Sequence, residues 1–279
     1  MLKQRIITAL VLVALLLLAL TVGRPFGFPV FALAMVGIVM GEWLLLLRLS
    51  KQKSVAVACM MMFVLWLIDS TPMAGVVSLV TWAASSLAWA VLAVTLFATG
   101  RFPSSDRWRL AYACLALLLP SACWFALVSA YREGLVFLLS ILAIVWAADI
   151  AAYFAGRAFG KRKLAPSISP GKTWAGAIGG ALATLTLALI GAYLPQLADS
   201  FFAVLEQRWS LVAMLAVTLL LCVLSVVGDL FESQLKRLRE VKDSSRLLPG
   251  HGGVFDRVDA MLPIVPIAML LARLTGAGA

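Results

Sequence analysis

The fold class that this sequence predicts is all-α: a polytopic integral membrane protein with about nine transmembrane helices and a cytoplasmic N-terminus. Three observations carry that prediction. Of 279 residues, 63% are hydrophobic and 13% charged, against about 25% charged in an ordinary soluble domain, and the mean hydropathy is +1.03. Uncharged stretches near the ~20 residues that cross a ~30 Å hydrocarbon layer recur from end to end, whereas the short alternating segments of a β-barrel are absent. Finally, basic residues alternate between heavily and lightly loaded loops. With the N-terminus inside, 19 of the 23 Lys and Arg face the cytoplasm, and only Arg24, Arg132, Arg208 and Arg273 face the other way. Such an asymmetry sets topology.

The spans follow in order. The run 6–23 comes after Lys3 and Arg5; it is longer than a usual signal-peptide apolar region and lacks a small-residue cleavage site, so it reads as a retained first span. The second covers 27–47. The third, 54–70, is short, and the fourth, 73–99, is long enough to tilt or to begin at the interface. The fifth and sixth cover 109–129 and 134–154. The seventh, 173–195, follows SPGKT, which reads as a turn with Thr173 capping the helix. The eighth, 209–230, ends at Asp229, and the ninth covers 257–275 before a C-terminal GAGA expected to fray. The whole makes one membrane-embedded domain over 1–279. Residues 1–130 form its N-terminal helical region, and residues 131–279 carry the polar motifs.

The chemistry gathers in two loops on the same face, one from Asp149 to Gly176 and one from Ser225 to Pro263. Asp229 and Glu232, then Asp256 and Asp259, each stand three residues apart, on one face of a helix. Two such pairs brought together offer the oxygen ligands that suit Mg²⁺, which keeps waters and bridges to substrate phosphates. The competing reading has each Asp capping a helix or pairing with Lys236, Arg237 or Arg257. Asp149, near the inner end of its span, either salt-bridges Arg157 or contacts a metal or nucleotide, since a carboxylate in hydrocarbon faces protein or water.

Cations flank both loops: Lys161, Arg162, Lys163 and Lys172 on one, Lys236, Arg237 and Lys242 on the other. GKT lacks the earlier glycine of a Walker motif, which leaves only a helix start beside Lys172 as a phosphate holder. Clustered cations beside clustered carboxylates suit a polyanion held partly through metal, as in phosphoryl or nucleotidyl transfer. His251, the single histidine, sits in PGHGG as a base, a phosphate donor or a turn residue. The four cysteines lie in apolar runs without a CxxC and read as small buried residues. The net charge of +10 points to anionic lipid headgroups or phosphorylated ligands, and no nucleic-acid partner is expected.

At these two loops the sequence resembles the CDP-diacylglycerol synthases, or phosphatidate cytidylyltransferases. The resemblance is carried by Ser233, Lys236, Arg237, Lys242, Asp243 and Ser245, followed by Pro249-Gly250-His251-Gly252-Gly253 and Asp256-Arg257-x-Asp259. Upstream, GDLFES and the run from Asp149 through SPGKTW are similar to further family motifs. Two positions depart: Ala175 stands where Glu or Gln is frequent, and Ser245 where Gly is common.

The resemblance implies transfer from CTP to phosphatidate, Mg²⁺ dependence with room for a K⁺ ion beside it, a homodimer among membrane lipids, and a bacterial inner-membrane location with the loops cytoplasmic. It implies Asp229, Asp256 and Asp259 as metal residues, and these three with Lys172 and Lys242 as catalytic. The substrate-binding set expected in the first loop is Asp149, Arg157, Lys161, Lys163, Ser169, Lys172 and Thr173. In the second it is Ser233, Lys236, Arg237, His251 and Arg257. Rival readings are a cytidylyltransferase or kinase acting on another lipid phosphate or lipid alcohol, and an anion transporter.

Overall fold

A computed structural model describes residues 2–23, 25–274 and 276. The expected place of Arg24 on the far face, and the fraying of the last residues apart from Gly276, lie outside the described residues.

The chain is a bundle of long helices: α1 (Leu2–Thr21), α2 (Gly27–Leu46), α3 (Lys51–Asp69), α4 (Ala74–Thr99), α5 (Arg109–Glu133), α6 (Leu135–Phe159), α7 (Trp174–Tyr193), α9 (Leu211–Leu238) and α11 (Met261–Leu274). Seven of these, α2 to α7 and α9, are long and apolar enough to cross a membrane; α1 and α11 contribute shorter apolar stretches. Two short helices, α8 (Phe201–Arg208) and α10 (Phe255–Val258), complete the set.

Several expectations change. SPGKT is not a turn but a strand, β2 (Ser169–Thr173), paired antiparallel with β1 (Lys163–Ala165). Thr173 nonetheless caps α7, its Oγ1 accepting from Gly176 N at 3.1 Å. The eighth span does not stop at Asp229. Helix α9 runs 28 residues, about 42 Å at 1.5 Å per residue, because nothing breaks it until Glu240 takes a left-handed φ of 58°. Asp229 and Glu232 thus lie within a helix, with Lys236 and Arg237 in its last turn. Likewise Asp256 and Asp259 precede the last long helix: Asp256 is in α10, and Asp259 sits in the break before α11.

Cross-helix contacts sort the helix ends into two sets. At one end Arg109 Nε donates to Leu47 O (2.8 Å), Phe102 N donates to Gln234 Oε1 (2.9 Å), and Thr8 Oγ1 donates to Pro249 O (2.9 Å). At the other, Arg132 pairs with Asp69 at 2.7 Å. The alternation that the basic residues imply requires these partners to share a face.

Small residues set the contact that matters most for the site. A Cβ on Gly176, Gly179 or Gly180 of α7 would fall 2.8, 2.4 or 3.0 Å from Ala152 O, Ala155 Cβ or Ala148 O of α6. Backbones can approach this closely only where side chains are absent, the usual device for packing helices in lipid. It brings Asp149 on α6 beside the start of α7. Near the same end of the bundle, Phe231 of α9 is the hub of an aromatic cluster. Trp43, Trp89, Phe102 and Tyr112 all meet its ring edge-on, with centroids 5.1–5.7 Å away. Offset and edge-to-face rings are worth about 0.5–1.5 kcal/mol per pair beyond area burial, so this cluster anchors the segment of α9 that bears Asp229 and Glu232.

Candidate active site

The first loop and α9 enclose a cavity of about 460 Å³ lined by Asp149, Arg157, Lys172, Thr173 and Asp229, with Tyr153 and glycines between them. That volume lies within the usual range for small-ligand sites. Lys172 Nζ reaches Asp229 Oδ2 at 2.6 Å, and Ser233 Oγ, one turn on, donates to Asp229 Oδ1 at 3.3 Å. Asp149 lines the same cavity, so carboxylates from α6 and α9 flank one ammonium group, while Asp259, in the α10–α11 break, has its backbone packed against Gly228, next to Asp229.

Asp256 is engaged differently. Its Oδ1 accepts from Lys236 Nζ at 2.7 Å. Its Oδ2 accepts from Ser244 N (2.9 Å), Ser244 Oγ (2.8 Å) and Gly253 N (2.7 Å). Burial alone would raise its pKa, but the bonds with Lys236, Glu232, Gly253 and Ser244 win and hold it at about 2. Lys236 also pairs with buried Glu232 at 2.6 Å. The pairing of Asp256 with Lys236, the competing reading of this carboxylate, is thus realised. The Asp149–Arg157 bridge is not among the ion pairs of the described residues; Arg157 Nη1 instead donates to Tyr153 Oη at 3.3 Å.

The remaining expected residues scatter around this centre. Lys161 and Lys163 are exposed on the hairpin, and Ser169 begins its second strand. Arg237 points outward from the end of α9, and Lys242 lines a separate cavity of about 490 Å³ with Arg239, Asp243 and Arg246. The His251 carbonyl accepts from Arg257 Nε (3.1 Å) and Nη2 (2.7 Å), which ties the PGHGG turn to α10. Among the described residues, no three His, Cys, Asp or Glu side chains form a ready-made metal cage.

Three features escaped the reading of the sequence. Glu42 of α2, 4% exposed, accepts four hydrogen bonds from the second loop: Ser245 Oγ and Val254 N on Oε1 (2.5 and 3.1 Å), Ser244 Oγ and Phe255 N on Oε2 (3.1 and 2.7 Å). The available signal was an acid alone within an apolar span, which is costly and hence usually functional or paired. Gln234 clamps the backbone of Phe102, accepting from its N and donating to its O at 2.6 Å. Gly228 gives Asp259 its place, since a Cβ there would lie 2.7 Å from Asp259 O.

Comparison with known proteins places the chain in a family. The model of the Cytidylyltransferase family matches residues 3–275. A phosphatidate cytidylyltransferase of Pseudomonas aeruginosa is 38% identical over 286 residues, covering all of both chains. One from Haemophilus influenzae is 36% identical and covers 95% of this chain and 96% of its own. One from Brucella melitensis is 37% identical over 98% of this chain and 94% of its own. With matches that run through both polar loops and the bundle that holds them, this chain belongs to the cytidylyltransferase family.

Proposed function

We propose that this protein transfers the CMP moiety of CTP to phosphatidate, giving CDP-diacylglycerol and pyrophosphate. The observation that carries this reading is the cavity in which Lys172, near the end of β2, meets Asp229 and which Asp149 and Arg157 also line, in a chain that matches phosphatidate cytidylyltransferases over nearly all its length. An oxygen of the phosphatidate phosphate attacks the α-phosphorus of CTP. A new P–O bond forms, the bond to the β-phosphate breaks, and pyrophosphate leaves. A phosphate monoester is already largely ionised near neutrality, its second pKa being about 6, so the attack needs no strong base. Lys172 and Arg157 supply positive charge toward the triphosphate, and the α7 N-terminus adds backbone N–H groups.

The donor set suits Mg²⁺: hard carboxylate oxygens, few of them, with no His or Cys side chain in the cavity lining. We assign Asp229 and Asp259 to the ion and Asp149 to its immediate neighbourhood. Asp256, whose Oδ2 accepts from Ser244 and Gly253 of the second loop, is assigned to shaping that loop. When bound, the ion would offset charge on the phosphates and the leaving pyrophosphate; no step is assigned to K⁺. The proposal also includes nine crossings, a cytoplasmic N-terminus, a cavity that opens to the cytoplasm at the inner membrane, and a homodimer. The charge asymmetry and the two sets of helix ends support the topology.

The test is turnover by purified protein in lipid–detergent micelles with CTP, phosphatidate and Mg²⁺, following CDP-diacylglycerol by mass and pyrophosphate release. ATP in place of CTP separates a kinase. A folded preparation that forms no CDP-diacylglycerol defeats the assignment.

A further inference from the structure

We infer that Glu42 is a positioning residue for this transfer: from α2 it fixes the path of residues 244–255, and through them Asp256 and the start of the α10–α11 break. The inference rests on the function proposed above. Glu42 does not line the cavity of Lys172 and Asp229, so whatever it contributes passes through other residues.

The hold has three components. Each carboxylate oxygen receives one hydroxyl and one backbone N–H, so Glu42 closes both ends of a loop whose middle is PGHGG. The Val254 and Phe255 N–H groups belong to the first turn of α10, where helix donors otherwise lack partners. Next, Gly253 lies directly against it: a Cβ there would fall 2.6 Å from both Glu42 oxygens and closer still to Ser244 Oγ. Last, Trp43, the next residue on α2, stacks on Phe255 with centroids 5.0 Å apart and planes 14° from parallel. Backbone and side chain of Phe255 are thus gripped by consecutive residues of one helix.

The link to the site is Ser244. Its Oγ stands 3.1 Å from Glu42 Oε2 and 2.8 Å from Asp256 Oδ2, with one proton to share. From Asp256 the chain of contacts continues to Lys236 and Glu232. A rigid membrane helix therefore sets the loop from behind, and Asp259 follows three residues after Asp256. Ser245, one of the two departures from the family pattern, adds the shortest bond of the set.

Glu42→Gln tests this, because the amide turns two accepted bonds into facing donors. Hydrogen exchange is followed by mass spectrometry without substrates, and kcat and KM for CTP are measured in parallel. The expected result is faster exchange confined to 244–256, with kcat down about tenfold or more and KM within about threefold, since positioning acts on the transition state. Ser245→Ala should lower kcat by about twofold to fivefold alone, and add little in the Glu42→Gln background, as coupled residues do. If Glu42→Gln fails to assemble, Ser245→Ala decides by exchange in 244–256 and by kcat, a kcat loss below about twofold then overturning the inference. For Glu42→Gln, unchanged exchange in 244–256, exchange raised equally in α2, α9 and α11, or kcat within about threefold of the parent overturns it. A parent protein that forms no CDP-diacylglycerol instead refutes the proposed function, and the exchange measurement still decides whether Glu42 holds the loop.

Discussion

Gly228→Ala should damage turnover more than stability. The added Cβ would sit 2.7 Å from Asp259 O and 3.0–3.1 Å from Pro263 Cγ and Cδ. Ordinary contact begins near 3.4 Å, so the Asp259 carbonyl must yield by about 0.7 Å. Overpacking of this size costs about 1–3 kcal/mol, while replacing a helical Gly by Ala returns up to ~1 kcal/mol. The net loss of stability is then about 0–2 kcal/mol, within reach of a thermal melt in detergent. The site is less forgiving. A misplacement near 1 Å can cost about 10²-fold in rate, and Asp259 is one of the two carboxylates assigned to Mg²⁺. A kcat/KM loss of about 10- to 100-fold is expected, or ~1.4–2.7 kcal/mol in the barrier, with a rise in the Mg²⁺ concentration for half-maximal rate. Activity within about threefold of the parent, in protein that melts normally, would show that the α9–Asp259 contact does not set the site.

Other consequences follow from the same geometry. Lys172→Met removes the ammonium paired with Asp229 at 2.6 Å; kcat/KM for CTP should fall by about 10²-fold or more, measured as product formation at subsaturating CTP. Phe231→Ala removes the central ring of a five-ring cluster and should cost about 3–5 kcal/mol, read as a lower melting temperature and a smaller yield of folded protein. The pH profile should contain no contribution from Asp256. Its folded pKa of about 2 lies below the ordinary 3.8, so its stabilising effect is complete above pH 3.8 and fades only as pH falls toward 2. The acid limb of kcat/KM should instead track the phosphate of the lipid substrate, near pH 6. A lipid phosphonate of different pKa should move that limb, and a limb that stays put would assign it to the protein.

How much of this was legible beforehand depends on range. Apolar length and basic-residue placement are local sums over twenty residues, and the long helices fall where those sums put them. Ends were harder. Helix α9 continues past Asp229 because a helix can leave the hydrocarbon and keep its hydrogen bonds; hydropathy marks the lipid boundary, not the last turn. SPGKT forms a strand because β1, four residues earlier, supplies a partner. Gly and Pro punctuation rules out helix there without choosing between a turn and a hairpin.

The carboxylates show a sharper limit. Asp229, Asp256 and Asp259 look alike in sequence, yet the structure gives them different surroundings. Asp229 meets Lys172 across a cavity, Asp259 shares its field, and Asp256 is consumed by four donors, three of them from its own loop. Spacing of three residues put Asp229 and Glu232 on one helix face, but Asp259 falls in the break after α10, and spacing could not tell what each carboxylate meets. That depends on loop closure, which depends in turn on Glu42, some two hundred residues away. If Glu42 holds the loop, Asp256 Oδ2 is committed to that loop, in keeping with the proposed assignment of the ion to Asp229 and Asp259. Asp256→Asn then gives a diagnostic pattern: faster exchange in 244–256 together with a lost kcat, while the Mg²⁺ requirement of the residual activity stays where it was. A shifted Mg²⁺ requirement with an undisturbed loop would return Asp256 to the metal.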